Sequence, residues 1–256
     1  MKIIGIIPAR MASSRFPGKP LAEIRGIPMI GHVYFRSKMS DLLDEVYIAT
    51  CDQEVMEYAR SIGAPAIMTS ASHERASDRA AEAMQIIEAD LKEKMDIVVM
   101  IQGDEPMIYP EMIDDAVRPL QQDPAILVSN LMACLNTKNE HEDPNEVKVV
   151  VDQEGFALYF SREAIPSRKK GVEDVPMLKQ VCIIPFRRDF LLKFNNLKPT
   201  PLEIIESVDM LRVLEHGYKV KMVMSDHRTY SVDTPDDLEC VNSCMEHDEL
   251  MKQYKS

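Results

Sequence analysis

Residues 1–19 read MKIIGIIPARMASSRFPGK, an apolar run of isoleucines that ends near Pro8 and passes into a loop with three cationic side chains. A short apolar run bounded by turn-forming residues is typical of a strand that is covered on both faces. Four similar runs follow along the chain: EVYIAT near 45, PAIMT near 65, DIVVMI near 96 and AILVSNL near 125. Helical patterns separate them, so we expect an α/β fold with a mostly parallel sheet and helices on both sides.

The helical patterns cover residues 28–39, 52–63, 77–94 and 109–122, and Asp52 and Ser77 are the candidate N-caps of two of them. In parallel sheets, ligands bind beside the carboxyl ends of the strands. The loops after Ile7, Thr50, Thr69 and Ile101 are therefore candidate walls of a binding site.

The pattern changes after about residue 145. VKVVVD, FALYFSR and VCIIPF resemble strands without crossover helices, and they are followed by one helical pattern at 201–217 and a return strand at 220–226. We expect a single domain over residues 1–256 that contains a small mixed-sheet lobe at about 145–195.

Composition limits the function classes. A chain of 256 residues with 45% hydrophobic residues can bury a full core. The net charge of −12 argues against a general nucleic-acid binder, because nucleic-acid backbones attract an excess of Lys and Arg. Five cysteines without CxxC spacing predict neither disulfides nor a zinc site, and they favour the reducing cytoplasm. The apolar start is too short for a membrane span and lacks the features of a signal peptide, so no membrane partner is expected.

The loop after the first run carries Arg10, Arg15 and Lys19 among small residues and prolines. Backbone amides, guanidinium groups and an ammonium group in such a loop can surround a di- or triphosphate. The alternative is an ordinary solvated basic loop. Neither GxGxxG nor GxxxxGK[ST] occurs, so the common dinucleotide-binding fold and the P-loop NTPases are not supported.

Two aspartates follow predicted strands at distant points of the chain. Asp104 comes after DIVVMI, next to Gly103, whose lack of a side chain permits a close backbone approach, and Asp233 precedes a Thr-Pro helix start. Mg²⁺ is usually bound by one or two carboxylates together with substrate phosphates. A turn residue at Asp104 and a helix-cap region at Asp233 are the alternatives.

Arg75 and Arg79 flank the start of the third helical pattern. They lie one turn apart, and the free amides of a helix start favour anions, so both could face a phosphate or an acidic acceptor. Surface cations are the alternative.

Six blocks of the chain, in order, carry a resemblance to a known family: IIPARMASSRFPGKPL, MTSASHERASDR, IQGDEPMI, DPNEVKVVVDQEGFALYFSREAIP, PTPLEIIESVDMLRVLEHG and SVDTPDDL. They resemble the 3-deoxy-manno-octulosonate (Kdo) cytidylyltransferases over about residues 3–240. The resemblance implies a Rossmann-like nucleotidyltransferase core with a small dimerisation lobe, a homodimer, and cytoplasmic transfer of CMP from CTP to an acidic sugar in lipopolysaccharide biosynthesis. Pyrophosphate leaves, and Mg²⁺ is the cofactor.

The resemblance also implies roles for individual residues. Catalysis falls to Arg15, Lys19, Asp104 and Asp233, of which the two aspartates hold the metal ion. Nucleotide binding falls to Pro8, Ala9, Arg10, Arg15, Lys19, Thr69, Ser77, Arg79 and Gln102. Acceptor binding falls to Arg79, Gln102, Arg162, Gln180, Ile184 and Asp209. Arg75, a cation that the family pattern lacks, is a further candidate for acceptor binding.

The chain departs from the family pattern on the acceptor side. Arg75 is an added cation and Ala76 replaces a glycine; Gln180 stands for a histidine, Ile184 and Phe186 for tyrosines, and Asp209-Met210 for Glu-Gln. A buried site without hydrogen-bonding groups binds a polyhydroxylated ligand weakly, because the ligand's hydroxyl groups stay unpaired. A cytidylyltransferase for a different acidic acceptor, such as a phosphonate, phosphate or modified acidic sugar, is therefore an alternative. A nucleotide-sugar glycosyltransferase and an inactive nucleotide-binding protein are the alternatives from other classes.

Overall fold

The structure is a computed structural model that describes residues 1–12, 16–169, 171–172 and 174–255. Within these ranges the strands are β1 Ile3–Ala9, β2 Glu23–Ile24, β3 Ile27–Pro28, β4 Glu45–Thr50, β5 Ala66–Met68, β6 Ile97–Ile101, β7 Ser129–Cys134, β8 Lys148–Val151, β9 Ala157–Ser161, β10 Leu178–Val181, β11 Ile183–Arg187 and β12 Lys221–Ser225. The α-helices are α1 Met29–Ser37, α2 Gln53–Ser61, α3 Ala76–Leu91, α4 Pro110–Gln122, α5 Lys138–Glu142, α6 Arg188–Asn196, α7 Pro201–Glu206, α8 Met210–Glu215 and α9 Pro235–Cys244.

The chain divides into two compact units. The first consists of Met1–Asp114 and Thr229–Ser256, and the second of Asp115–Arg228. The lobe expected at about 145–195 falls within the range of the second unit, and its role in dimerisation stays a prediction.

In the first unit four strands form a parallel sheet in the order β6-β1-β4-β5. Ile3, Ile4, Ile6 and Ile7 on β1 are at most 2% exposed, so the strand is covered on both faces as its sequence predicts. Gly5 lies among them because a Cβ there would stand 2.9 Å from Leu43 Cδ1. The predicted mixed α/β fold with a mostly parallel sheet is confirmed by this arrangement and by the structural relatives described below.

In the second unit the strand order is β12-β7-β10-β8-β9. β12 is parallel to β7, and the other neighbours are antiparallel. Phe160, Phe186 and Phe194 are fully buried in its core. A mixed sheet fits the predicted absence of crossover helices after residue 145.

Three local predictions are corrected. The helical pattern at 201–217 is two helices, α7 and α8, because Ser207 adopts a left-handed conformation with φ of 53° that ends α7. Helix α3 begins at Ala76, so its N-cap is Arg75, and Ser77 lies buried in the first turn. The strand expected near 125 starts later, at Ser129. None of the helices in the described ranges combines the length and the apolar character that crossing a membrane requires.

Candidate active site

Five predicted site residues of the first unit lie at the carboxyl ends of its parallel strands. Pro8 and Ala9 end β1 and Arg10 follows it, Thr69 follows β5, and Gln102 follows β6. A Cβ on Gly103 would stand 3.3 Å from the backbone oxygen of Pro8, which is the close approach that this glycine predicts. The ends of β1 and β6 therefore meet at one edge of the sheet, where ligands of such folds bind.

Lys19, Asp104 and Asp233 converge at this edge. The Lys19 Nζ donates to Asp104 Oδ2 at 2.9 Å and to Asp233 Oδ1 at 3.3 Å. The three side chains keep 14%, 21% and 19% of their surface exposed, so they are shielded yet still reachable from solvent. The fold thus brings together three predicted catalytic residues that are separated by up to 214 positions.

The backbone of Val232 ties these residues to one another. Its carbonyl accepts a bond from Lys19 Nζ at 2.8 Å, and its N–H donates to the Asp104 carbonyl at 2.9 Å. Thr234 next begins α9 with a capping box that it shares with Asp237. Asp233 is therefore held from both sides along the chain.

The electrostatics keep Lys19 charged. Burial opposes its charge, but the carboxylates of Asp104 and then Asp233 outweigh burial and raise the pKa of Lys19 above its ordinary value. The ammonium consequently remains a cation at any physiological pH. It is available to phosphate oxygens as a permanent positive charge.

The two aspartates fit a divalent ion. Their carboxylate oxygens lie within 3.3 Å of a single cationic atom, the Lys19 Nζ, so they already share one positive charge. Across the described ranges no cluster of three or more His, Cys, Asp or Glu residues could hold a metal alone. A pair of carboxylates completed by substrate phosphates is the usual donor set for Mg²⁺.

The basic loop after β1 is closed by backbone and side-chain bonds. Asp52 Oδ2 accepts the N–H of Met11 at 2.7 Å, and the carbonyl of Met11 accepts the N–H of Gly18 at 3.0 Å. Gly18 has a φ of 77°, a conformation that favours glycine. Arg10 is exposed, and Arg15 lies outside the described residues.

The start of α3 forms a second polar wall. Arg79 is 3% exposed, and its Nη1 donates to Thr69 Oγ1 at 2.5 Å and to the Ser70 carbonyl at 3.3 Å. The Thr69 hydroxyl donates in turn to the carbonyl of Thr50 at 3.0 Å. Arg79 is therefore a buried cation rather than a surface one. Arg75 is half-buried at the N-cap, and Ser77 is fully buried.

The remaining predicted acceptor residues belong to the second unit. Arg162 donates to the carbonyls of Glu206 at 2.6 Å and Pro144 at 2.8 Å, so much of its guanidinium serves the local backbone. Asp209 is the half-buried N-cap residue of α8. Ile184 is 3% exposed and offers a ligand little surface.

The orientation of the Gln180 amide is fixed by Asn130, which is fully buried. Asn130 Nδ2 donates to the carbonyls of Val181 at 2.6 Å and Leu131 at 3.0 Å. Carbonyl oxygens only accept, so Asn130 must turn its Oδ1 toward Gln180, whose Nε2 donates to it at 2.5 Å. The Gln180 Oε1 has no hydrogen-bond partner among the described residues, so Gln180 offers an acceptor atom to a ligand.

Sequence reasoning missed two residues that organise these groups. Asp52 was expected only as a helix cap, yet its carboxylate makes no cap bond and binds Met11 instead. Its position two residues after the end of β4, in a loop expected to line the site, was a usable signal. Asn130 lies within a strand and gave no signal, because its partners come from a strand about fifty residues later.

Known proteins resemble the chain over nearly its whole length. A model of the cytidylyltransferase family matches residues 4–222. The 3-deoxy-manno-octulosonate cytidylyltransferase of Geobacter metallireducens is 45% identical, with 94% of this chain and 96% of that protein covered. The mitochondrial protein of the same name from Arabidopsis thaliana is also 45% identical, over 95% of this chain and 83% of that protein.

Solved structures give the same result. A CMP:2-keto-3-deoxy-manno-octonic acid synthetase complexed with CTP has a TM-score of 0.87 and 39% identity, and the match covers 96% of this chain and 98% of that chain. A cytidylyltransferase from Leptospira borgpetersenii has a TM-score of 0.63 at 22% identity, over 96% of this chain and 87% of that chain, and it supports the fold alone.

Proposed function

Since the chain belongs to the 3-deoxy-manno-octulosonate cytidylyltransferase family, we propose that it transfers CMP from CTP to Kdo, or to an acidic sugar of the same class, with release of pyrophosphate. The observation that carries the proposal is the convergence of Lys19, Asp104 and Asp233 beside the strand ends. Family membership weighs against a glycosyltransferase, and the paired aspartates weigh against an inactive nucleotide binder, which has little need for two metal carboxylates.

The triphosphate of CTP is proposed to lie along the loop after β1. The Lys19 ammonium and the Arg10 guanidinium then face its oxygens, with Arg15 assigned to the same task by the family resemblance. In the first unit, the hydrogen bond from Arg79 to Thr69 fixes the start of α3 against the end of β5. Fixed cations of this kind stabilise the charge that develops on the departing pyrophosphate without reorganising during the reaction.

Family members generally use a divalent metal ion, and Mg²⁺ is the ion that we propose here. Asp104 and Asp233 would hold it. When bound, Mg²⁺ withdraws charge from phosphate oxygens.

The proposed reaction is a displacement at the α-phosphorus. A hydroxyl oxygen of the sugar forms the new bond to the α-phosphorus, and the bond from this phosphorus to the α–β bridging oxygen breaks. Pyrophosphate leaves with that oxygen, and the hydroxyl proton passes to solvent water. The residues of this chain position the triphosphate so that the leaving group is held by cations, and positioning and electrostatics supply most of the rate in phosphoryl-type transfers.

Gln180 supports a hydroxylated acceptor over a phosphonate or phosphate, provided that it faces the acceptor as the resemblance implies. Its free Oε1 accepts hydrogen bonds, so it attracts a hydroxyl donor and repels an anionic oxygen. Ile184 and Phe186, which replace tyrosines of the family pattern, are at most 3% exposed and pack in the interior. Their exchange therefore gives little support to an anion-binding pocket.

The experiment is a pyrophosphate-release assay with CTP and Mg²⁺ against Kdo, a phosphonate, a sugar phosphate and no acceptor. We expect turnover that depends on Kdo and is lost in Asp104→Ala and Asp233→Ala. Turnover with the phosphonate but not with Kdo would favour the alternative acceptor. No pyrophosphate with any acceptor, despite CTP binding, would leave the inactive nucleotide binder as the better description.

The homodimer and the cytoplasmic location also belong to this proposal. All five cysteines are free thiols, which suits a reducing compartment. Sedimentation equilibrium would test the dimer. Variants with charged residues in the lobe at 145–195 would test whether that lobe forms the interface.

A further inference from the structure

The last residues of the chain pack against the segment that carries Asp233. Val232 is fully buried in an apolar cluster whose other buried members are Ile24, Met29, Val241, Met245 and Met251. Tyr254 packs against the same cluster and is partly buried. Three of these side chains, Met245, Met251 and Tyr254, come from the final dozen positions.

A buried arginine on α1 fastens this terminal segment. Arg36 is fully buried, and its Nη2 donates to Asp248 Oδ1 at 2.6 Å. Its Nε donates to the Tyr254 hydroxyl at 3.0 Å, and its Nη1 donates to the Ile108 carbonyl at 3.2 Å. Removing one partner from such a pair leaves a buried charge unsatisfied, so the segment is fixed firmly.

The apolar cluster and the active-site residues meet at Val232. Its side chain lies in the cluster, while its backbone bonds to Lys19 Nζ and to the Asp104 carbonyl. A shift of Val232 would therefore move Asp233 relative to both Lys19 and Asp104. Ile108, whose carbonyl accepts a hydrogen bond from Arg36, follows Asp104 by only four residues.

We propose that Met245, Asp248, Met251 and Tyr254, the C-terminal clamp, are positioning residues that set the Asp104–Asp233 pair at the spacing a divalent ion requires. This inference rests on the proposed metal role of the two aspartates. Residues behind metal ligands commonly set the affinity of a site, although they never touch the ion. Two carboxylates repel each other, so their spacing depends on the Lys19 ammonium between them and on the backbone that carries each of them.

The test compares Met245→Ala with Met95→Ala, two truncations of buried methionines in the first unit. Met245 is fully buried in the clamp. Met95 is 2% exposed and precedes the amino end of β6, whereas Asp104 follows the carboxyl end of the same strand. Bound Mn²⁺ is titrated by electron paramagnetic resonance at a fixed saturating CTP concentration. We expect Met245→Ala to raise the Kd for Mn²⁺ about tenfold and Met95→Ala to leave it within about twofold of the wild type. Met245→Leu, which retains the volume, should restore the affinity.

Thermal unfolding of each variant separates positioning from stability. Equal losses of stability in Met245→Ala and Met95→Ala with unchanged Mn²⁺ affinity in both would overturn the inference. Should Met245→Ala fail to fold, Tyr254→Phe is the second variant, because it removes only the hydroxyl group that accepts the hydrogen bond of Arg36 Nε. An unchanged Kd for Mn²⁺ in Tyr254→Phe would equally overturn the inference. Asp233→Ala is the reference: if it binds Mn²⁺ as the wild type does, the proposed metal site itself is wrong.

Discussion

Lys19 carries the only cationic atom among the described residues that is shown bonded to both Asp104 and Asp233. The ammonium neutralises the paired carboxylates, and in the proposed function it also binds the triphosphate. A metal ion that approaches these carboxylates must compete with this charge. Removal of the Lys19 charge should therefore have opposite effects on metal affinity and on turnover.

We expect Lys19→Met to bind Mn²⁺ about fivefold more tightly without nucleotide, because removing a neighbouring unit charge gains about 1 kcal/mol. Turnover should nevertheless fall about a hundredfold, since a fixed charge on the pyrophosphate is lost. Metal titration and pyrophosphate release measure the two effects. Lys2→Met, whose Nζ stands 3.7 Å from Asp44 near the amino end of β1, is the control. Weaker Mn²⁺ binding in Lys19→Met would contradict the prediction.

Gln180 gives a prediction for the acceptor. Gln180→Leu removes the oxygen that Asn130 leaves available, so we expect the KM for Kdo to rise about tenfold while the KM for CTP stays unchanged. Gln121→Leu, an exposed glutamine of α4 in the same unit, is the matched control. Equal KM values for Kdo in the wild type and Gln180→Leu would remove Gln180 from the acceptor site.

Among the elements, the loop after β1 depends on a residue outside it. Asp52 fastens it by one bond to Met11 N–H, and a similar carboxylate bond at the other end of β1 joins Asp44 Oδ2 to Ile3 N–H at 2.6 Å. We expect Asp52→Ala to raise the KM for CTP about tenfold, because a charge-assisted bond to the backbone contributes about 1.5 kcal/mol.

Two variants delimit that effect. Asp52→Asn should raise the KM for CTP only about threefold, because an amide oxygen still accepts the Met11 N–H but without the charge of the carboxylate. Asp44→Ala should change stability and leave the KM for CTP unaltered. A normal KM in Asp52→Ala would mean that the loop is closed without this bond.

The parallel strands of the first unit were predictable because they repeat one local signal, an apolar run that ends in polar residues. The break between α7 and α8 was not, since the pattern over 201–217 is periodic and only the left-handed Ser207 interrupts it. Asp104 could be picked from a strand end, but Asp233 was expected after a strand that does not form, since β12 ends at Ser225 and irregular backbone precedes Asp233. Their common contact with Lys19 depends on pairings more than eighty residues apart. Local patterns carry no such distances.

For the whole molecule, the net charge of −12 contrasts with the cationic groups at the strand ends, so the proposed anion binding is a local property. The C-terminal clamp was not foreseen either, because Arg36 and His32 lie on a helical pattern that reads as ordinary packing. His32 Nε2 bonds to the Ile24 carbonyl at 2.8 Å, which fixes the proton on Nε2. The Tyr254 hydroxyl, 2.8 Å away, then donates to Nδ1.

This network predicts an acid-sensitive fold. Burial lowers the pKa of His32 to about 4; the Ile24 carbonyl and Asp248 oppose that shift, whereas Arg36 and Lys255 add to it. Between pH 6.5 and about 4 the unfolded chain binds a proton that the folded chain does not, so stability is complete above pH 6.5 and falls with decreasing pH, by about 3 kcal/mol in all. Urea unfolding at pH 7, 6 and 5 should show a shallower decline in His32→Gln than in the wild type. His247→Gln, at an exposed position of the terminal segment, should decline as the wild type does. Parallel declines in all three proteins would show that His32 is not the group that titrates.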